Sequence, residues 1–207
     1  SGVVTSTVGS RRSCALRSAD EVSPLRAPAL QSGCRAPMAC CRARKAPIAI
    51  MSLADRPDAV DQVHAVAVAT FGDIPGGERP IDPGDLAEFR ARDVDRPGIP
   101  PEAFMLALDG GTGSVVGYAA LLLIPGSTTV AWHDMTAVVR PYRGRGIAQA
   151  LKRATIAWAI QSGLETLETG NDVDNAPMRS VNAALGYRPL PDEITMRGPA
   201  TRGIMDA

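Results

Sequence analysis

The amino-acid sequence predicts a mixed fold of the α+β class, with helices packed around one sheet. Apolar residues recur at helical spacing over residues 55–71 and 147–163. Between these stretches, residues 103–139 contain three apolar runs of strand length separated by turn residues. The predicted order is two helices, three strands, a helix, a strand, a helix and two short strands. This order favours layers around a single sheet.

The two N-terminal helices are predicted from capping residues. Asp55 is a candidate N-cap, Pro57 lies in the first turn, and Gly72 ends the first helix. Asp82 and Pro83 repeat the same device at the start of the second helix. The first helix places apolar residues on one face, which predicts packing against the sheet.

The strands are predicted from apolar runs bounded by turns. Three of them are predicted before the third helix, at Ala103–Leu108, Ser114–Ile124 and Thr128–Val139. The third helix follows and ends at Gly163. The remaining predicted elements are a strand at Leu164–Thr169, a helix over 175–186, and short strands at Tyr187–Leu190 and Ile194–Met196.

Residues 1–50 differ in composition from residues 51–207. The first segment has 8 Lys and Arg against 2 Asp and Glu, contains all four cysteines, and shows no sustained periodicity. We expect it to be disordered or outside the core, with a folded domain over residues 51–207. Two interpretations remain: the segment resembles an organelle transit peptide, or it is upstream sequence that the folded unit does not need.

Composition argues against several classes of partner. The longest apolar run, Ala119–Ile124, is far shorter than the roughly 20 residues of a membrane span. Residues 51–207 have 14 basic and 20 acidic side chains, which argues against a nucleic-acid partner. The cysteine spacing argues against a metal site. We expect a cytoplasmic protein, and the excess of 20 Arg over 2 Lys fits a bacterial source.

The segment after the third predicted strand has the composition of an anion site. The stretch VVRPYRGRGIAQALKR passes from the strand through Gly144 and Gly146 into a helix. The first amides of a helix have no intrahelical acceptor, and the helix dipole adds positive potential. Glycines let a ligand approach the backbone, and Arg143 and Arg145 can bond phosphate oxygens. The combination favours a diphosphate ligand.

Two common phosphate motifs do not fit this segment. A P-loop requires Lys followed by Ser or Thr after the second glycine, and Ile147 and Ala148 stand there. A dinucleotide-binding fingerprint requires a third glycine where Gln149 stands, and it lies in a first strand–helix unit.

The same segment resembles the acyl-CoA diphosphate motif of the GNAT superfamily of N-acetyltransferases, Gln/Arg-x-x-Gly-x-Gly/Ala. Downstream, residues 169–189 resemble that superfamily's second CoA-contacting region, most closely in a mycothiol-synthase-like actinobacterial branch. The residues that carry this second resemblance are Asn171, Asn175, Met178, Asn182, Leu185, Gly186 and Tyr187.

The resemblance implies a single GNAT-type domain with a mostly antiparallel twisted sheet and helices on both faces. Its strands at 128–139 and 164–169 would form a parallel pair that splays apart and holds pantetheine. The implied cofactor-binding residues are Thr136, Ala137, Val138, Val139, Arg143, Gly144, Arg145, Gly146, Ile147, Ala148, Asn171 and Asn175. The implied cosubstrate is acetyl-CoA, with no metal.

Acyl transfer to an amine requires a base for the ammonium, a donor for the oxyanion and an acid for the thiolate. Asp134 is the expected base, with His133 as the alternative. Strand alternation places Trp132, Asp134, Thr136 and Val138 on one face and His133 on the other, so only one of the two candidates can face the acceptor. The superfamily's usual acid is a tyrosine at the position of Asn182, whose amide cannot supply a proton. Either the thiolate leaves with a hydrogen bond from this amide and is protonated by solvent, or another group serves as the acid, for which Tyr187 is a candidate.

These observations favour an acyl-CoA-dependent N-acyltransferase that acetylates a primary amine of a small molecule. The alternatives are a non-catalytic or regulatory CoA-binding module and an acetyltransferase acting on protein N-termini or lysines. Members of such families are frequently dimers, so a homodimer is a candidate assembly. The sequence contains no motif that identifies the acceptor.

Overall fold

The structure, a computed structural model, describes residues 10–17, 46–75 and 81–194. Its strands form one seven-stranded sheet with the order β2-β3-β4-β5-β6-β1-β7. The strands are β1 (Ser10–Arg17), β2 (Ile48–Ser52), β3 (Phe104–Asp109), β4 (Val115–Leu123), β5 (Val130–Val138), β6 (Thr166–Asp172) and β7 (Arg188–Ile194). All neighbours pair antiparallel except β5 and β6, which are parallel. The α+β class and the mostly antiparallel sheet with one parallel pair are therefore confirmed.

Helices cover both faces of the sheet. They are α1 (Val60–Thr70), α2 (Leu86–Phe89), α3 (Ile147–Gln161) and α4 (Ala176–Ala184). Helix α1 packs with Tyr118 and Ala137 in a core on one face. Helix α3 packs on the other face, against Ala119 and Val138. Each face therefore has its own apolar core, as a layered fold requires.

The first two helices begin later in the chain than the sequence predicted from the candidate caps Asp55 and Asp82. The Asp55 side chain accepts hydrogen bonds from Ser52, and α1 starts only after a 3-10 turn at Pro57–Ala59. Asp82 accepts from the amide of Gly84, so it stabilises a turn that precedes the helix. The N-cap of α2 is Asp85, which forms a reciprocal capping box with Glu88. Both aspartates form local side-chain turns that compete with helix capping.

A bulge in β5 changes which side chains share a face. Thr136 lies opposite Ala119 and His133 opposite Leu121, so two residues of β5, Asp134 and Met135, face only Ala120. Simple alternation placed Thr136 with Asp134 and apart from His133, and the structure shows that this was wrong. Past the bulge, Thr136 returns to the face of His133, which is the α3 face.

Two parts of residues 1–50 lie in the sheet. Strand β2 begins at Ile48, just before the expected start of the folded domain, and pairs with β3. Strand β1 lies between β6 and β7 and is antiparallel to both. Residues 1–9 and 18–45 lie outside the described residues. Whether the segment is dispensable for folding stays a prediction.

Candidate functional site

The parallel strands β5 and β6 separate after a short paired stretch. Their register covers only three pairs, from Val130 with Thr166 to Trp132 with Glu168. One further link follows, where Thr169 Oγ1 donates to the carbonyl of His133 at 2.9 Å. Beyond it, β5 continues to Val138 without pairing to β6. The predicted splayed pair is therefore present.

The N-terminus of α3 offers a row of unpaired amides. Gly146 is the N-cap with a φ of 76°, and no side chain caps the helix. The first amide to reach a helical acceptor is that of Ala150, which bonds Gly146 O at 2.9 Å. Among the described residues, the amides of 144–149 have no acceptor. A Cβ built on Gly144 or Gly146 would meet no atom within 4 Å, so the space beside these two glycines is open.

A cavity of about 460 Å³ runs from this loop along β5 to α4. Nine of the twelve predicted cofactor-binding residues line it: Thr136, Ala137, Val138, Arg143, Gly144, Gly146, Ile147, Ala148 and Asn175. The lining residues that sequence reasoning missed are Thr70, Asp73, Ile74, Met135, Tyr142, Gln149, Pro177, Met178 and Val181. Four of these belong to α1 or α4, and Asp73 and Ile74 follow α1, so six of the nine lie far from the glycine loop in sequence.

Arg143 lies at the mouth of the cavity and is already paired. Its Nη2 is 2.7 Å from Asp73 Oδ2, and its Nε donates to Val138 O at 2.8 Å. Asp73 also binds Arg140, and the hydrogen bonds from the two guanidinium groups lower the pKa of the Asp73 carboxyl well below its usual range. A carboxylate therefore lies inside the predicted anion site and partly neutralises it.

Arg145 points away from the cavity. Its Nη2 donates to Ala46 O at 2.7 Å, and its guanidinium lies 5.0 Å from the centre of the Tyr142 ring. Tyr142 in turn donates to Asp109 Oδ2 at 2.8 Å. These contacts connect the glycine loop to the chain before β2 and to the β3–β4 turn. Arg145 therefore stabilises the glycine loop through contacts outside the cavity.

The other predicted cofactor-binding residues differ in whether they line this cavity. Asn175 caps α4 by accepting from the amide of Met178 at 3.2 Å, and it also lines the cavity. Asn171 instead lines a second cavity of about 350 Å³, beside Tyr187. Val139 follows β5 and donates its amide to Val116 O. Neither Asn171 nor Val139 lines the larger cavity.

Asp134 lies in the bulge of β5, next to the cavity-lining Met135. Burial raises the pKa of its carboxyl; the charge of Arg96 lowers it and that of Asp93 raises it. Tyr118 is buried on the same face, and its pKa is raised by burial and by the charges of Asp93 and Asp134. A carboxylate with a raised pKa is suited to accept a proton near neutral pH.

His133 and Tyr187 form one buried hydrogen-bonded chain. Thr155 Oγ1 donates to Lys152 O at 2.9 Å, so the same oxygen must accept from His133 Nε2 at 3.2 Å. Nδ1 of His133 is then the acceptor, and Tyr187 Oη donates to it at 2.9 Å. Burial, and then the charge of Lys152, lower the pKa of His133 well below its usual value. Neither side chain lines the larger cavity.

Asn182 is almost fully buried, and neither its Oδ1 nor its Nδ2 has a hydrogen-bond partner among the described residues. Its neighbour Val181 lines the larger cavity, but Asn182 does not. Its carbonyl accepts from the amides of Leu185 and Tyr187 and so closes the end of α4. Of the four predicted catalytic residues, Asp134 therefore lies in the bulge of β5. The other three, His133, Asn182 and Tyr187, are buried and do not line the larger cavity.

Comparison with known protein families identifies the family of this chain. The sequence profile of the Acetyltransferase (GNAT) family matches residues 77–187, more than half of the chain. The chain belongs to the GNAT acetyltransferase family. The match includes the glycine loop, β5 and α4, which contribute most of the cavity lining, and it also includes β6. No curated protein matches the sequence.

Solved GNAT structures share this fold at low sequence identity. A GCN5-related N-acetyltransferase from Sphaerobacter thermophilus has a TM-score of 0.61 and 18% identity over 91% of this chain and 51% of its own. A tandem GNAT protein from the clavulanic acid biosynthesis pathway has a TM-score of 0.57 and 19% identity over 95% of this chain and 56% of its own. The chain therefore spans about half the length of these two structures.

A third GNAT structure matches over nearly its full length. An aminoglycoside N-acetyltransferase in complex with CoA has a TM-score of 0.56 and 17% identity over 76% of this chain and 99% of its own. At these identities the similarity establishes the fold.

The described residues contain no group of three His, Cys, Asp or Glu side chains placed to hold a metal ion. In the same part of the chain, no helix is long and apolar enough to cross a membrane.

Proposed function

We propose that this GNAT protein is an acyl-CoA-dependent N-acyltransferase that moves an acetyl group from acetyl-CoA to a primary amine of a small molecule. The row of unpaired amides from 144 to 149, which opens into a cavity along the splayed β5, carries the proposal. These amides and the α3 dipole would bind the diphosphate. The cavity beside Thr136 to Val138 would take the pantetheine arm. The CoA bound to the aminoglycoside N-acetyltransferase of the same fold supports this assignment.

Asp134 is the proposed base. It takes a proton from the acceptor ammonium, directly or through a water, and the neutral amine attacks the thioester carbonyl carbon. The tetrahedral intermediate collapses, the C–S bond breaks and CoA leaves as a thiolate, while the attacking nitrogen loses its second proton to solvent, which protonates the thiolate. The raised pKa of Asp134 suits this proton transfer.

A CoA-binding module without turnover is the second candidate. It is favoured by the lack of a free acid among the described residues that line the cavity. Tyr142 lines the cavity but donates its hydrogen bond to Asp109, and Tyr187, which does not line it, donates its hydrogen bond to His133. The pattern from Asn171 to Tyr187 further leads us to place the protein in the mycothiol-synthase-like branch of the superfamily.

One assay separates these candidates. The protein is incubated with acetyl-CoA and a panel of polyamines, aminoglycosides, amino acids and peptides with free N-termini. Thiol release and mass spectrometry of the amine report turnover. Acetylation of a small amine is the expected result. Tight CoA binding with no thiol release from any acceptor would favour the binding module, and peptide acetylation alone would favour a protein acceptor.

A further inference from the structure

The Thr136 side chain has a buried hydroxyl with no hydrogen-bond partner among the described residues. The same residue lines the cavity beside β5. A buried hydroxyl without a partner costs about 1–3 kcal/mol. Such a group in the wall of a ligand cavity calls for a partner that the free protein does not supply.

The fully buried threonines of the described residues show how unusual this unpartnered hydroxyl is. Thr70 donates to Val66 O at 2.7 Å, Thr155 to Lys152 O at 2.9 Å, and Thr169 to His133 O at 2.9 Å. Each satisfies its hydroxyl with a nearby carbonyl. Thr136 follows the bulge of β5, where the neighbouring strand β6 has moved away. The carbonyls that a paired strand would offer are therefore missing on that side.

The position of Thr136 lies between the two ends of the cleft. Trp132, four residues earlier, is the last residue of β5 paired with β6. The open amides of the glycine loop begin at Gly144, eight residues after Thr136. A ligand whose diphosphate lies on those amides and whose arm enters the cleft passes Thr136 before it reaches the closed end.

We propose that the Thr136 hydroxyl donates a hydrogen bond to a carbonyl oxygen of the acyl donor, in the pantetheine amides or the thioester. This inference rests on the proposed function. A change of χ1 between staggered rotamers, which is part of the proposal, turns the hydroxyl from its buried position towards the ligand. Ligand binding then satisfies a polar group that is unsatisfied in the free protein.

The substitution Thr136→Val separates this role from a structural one, because it keeps the shape and removes only the hydroxyl. The free variant should melt about 2–4 °C higher than the wild type, since an unsatisfied buried group is gone. Its affinity for acetyl-CoA, measured by titration calorimetry, should fall about tenfold. A threonine that only supports the fold would give a lower melting temperature and unchanged binding.

Two further variants serve as matched controls. Thr136→Ser retains the hydroxyl and should bind acetyl-CoA within about twofold of the wild type. Tyr118→Phe also removes a buried hydroxyl that has no described partner, but Tyr118 does not line the cavity. It should raise the melting temperature and leave acetyl-CoA affinity unchanged.

Titration with CoA and with acetyl-CoA identifies the oxygen. Equal losses for both ligands in Thr136→Val assign the bond to the pantetheine amides, and a loss confined to acetyl-CoA assigns it to the thioester. Unchanged affinity for both ligands, or a lower melting temperature of the free variant, overturns the inference while the proposed function stands. A wild-type protein that binds neither ligand overturns both.

Discussion

Asp73 and Arg143 form an ion pair at the mouth of the cavity, with Arg143 Nη2 2.7 Å from Asp73 Oδ2. The pair joins the segment after α1 to the glycine loop, 70 residues apart in sequence. The Asp73 side chain is only 17% exposed, whereas that of Arg143 is 43% exposed. Arg143 is thus held in place before any ligand arrives, and the amides of 144–149 remain the open donors.

We expect Arg143 to act as a brace for the loop. Asp73→Asn and Arg143→Gln should then each weaken acetyl-CoA binding. The double variant should bind acetyl-CoA no more weakly than the single variant with the lower affinity. Titration calorimetry on the three variants measures this coupling. Tighter binding by Asp73→Asn would show instead that the carboxylate competes with the diphosphate for Arg143.

The melting temperature of the Asp73 variant should also depend on pH. The folded protein lowers the pKa of Asp73, so its stabilising contribution is present above the unfolded pKa of about 3.9 and is lost as pH falls below it. Asp73→Asn should therefore melt below the wild type at pH 7, and the difference should shrink towards pH 3. A constant difference would contradict the ion pair as its cause.

Gly146→Asp should abolish the rise in melting temperature that acetyl-CoA produces. A carboxylate would then face the proposed diphosphate site, because nothing lies within 4 Å of a Cβ there. Gly163→Asp is the matched control, since Gly163 follows the other end of α3 with a φ of 79° and equally open space. Both variants should lose about 1–2 kcal/mol of stability from the left-handed backbone. A ligand shift that persists in Gly146→Asp would remove the diphosphate assignment.

Asp134→Asn should lower kcat/KM by about a hundredfold or more, if Asp134 is the base. In the wild type, kcat/KM should rise as pH passes the raised pKa of this carboxyl. Asp93→Asn removes a charge that contributes to that raised pKa, so its rate profile should shift to lower pH. Undiminished turnover of Asp134→Asn across the pH range would clear Asp134 of the role.

The same substitution should stabilise the fold. Because the folded pKa of Asp134 lies above the unfolded one, the wild type loses stability as pH rises between the two. Asp134→Asn should melt higher than the wild type at pH 7, with the difference vanishing towards pH 4. Thermal unfolding at several pH values measures it.

Tyr187→Phe should lower stability by about 1 kcal/mol and leave the turnover rate within about threefold of the wild type. Its hydroxyl is bonded to His133 inside the core and does not line the larger cavity. Chemical denaturation and steady-state kinetics test the two parts separately. Turnover that falls by about a hundredfold or more, with unchanged stability, would instead identify Tyr187 as the acid.

Deleting residues 1–17 should lower the melting temperature. Strand β1 pairs with β6 and with β7, so its removal leaves β7 without its partner strand and exposes one edge of β6. Deleting residues 1–9 is the control, because it keeps β1. An unchanged melting temperature for the longer deletion would support the interpretation of residues 1–50 as an extension that the fold does not need.

The sequence by itself determined the local features of this protein. The glycines and the following apolar helix predicted an open, positively polarised helix start, and the structure has it at Gly146 because φ there is positive. Helical and strand periodicity predicted the order of the elements along the chain from β3 to β6, since burial on one face imposes a period. The first two helix starts were predicted too early because Asp55 and Asp82 bond to their own turns.

Only the tertiary structure decided which side chains meet. The bulge at Asp134 and Met135 turned Thr136 to the opposite face, and a one-residue insertion in one strand is not visible in that strand's own sequence. The pairing of Asp73 with Arg143 and of His133 with Tyr187 joins residues far apart in the chain. Such contacts depend on how the layers pack, and they decide which candidate residues face the cavity and which are held in the core.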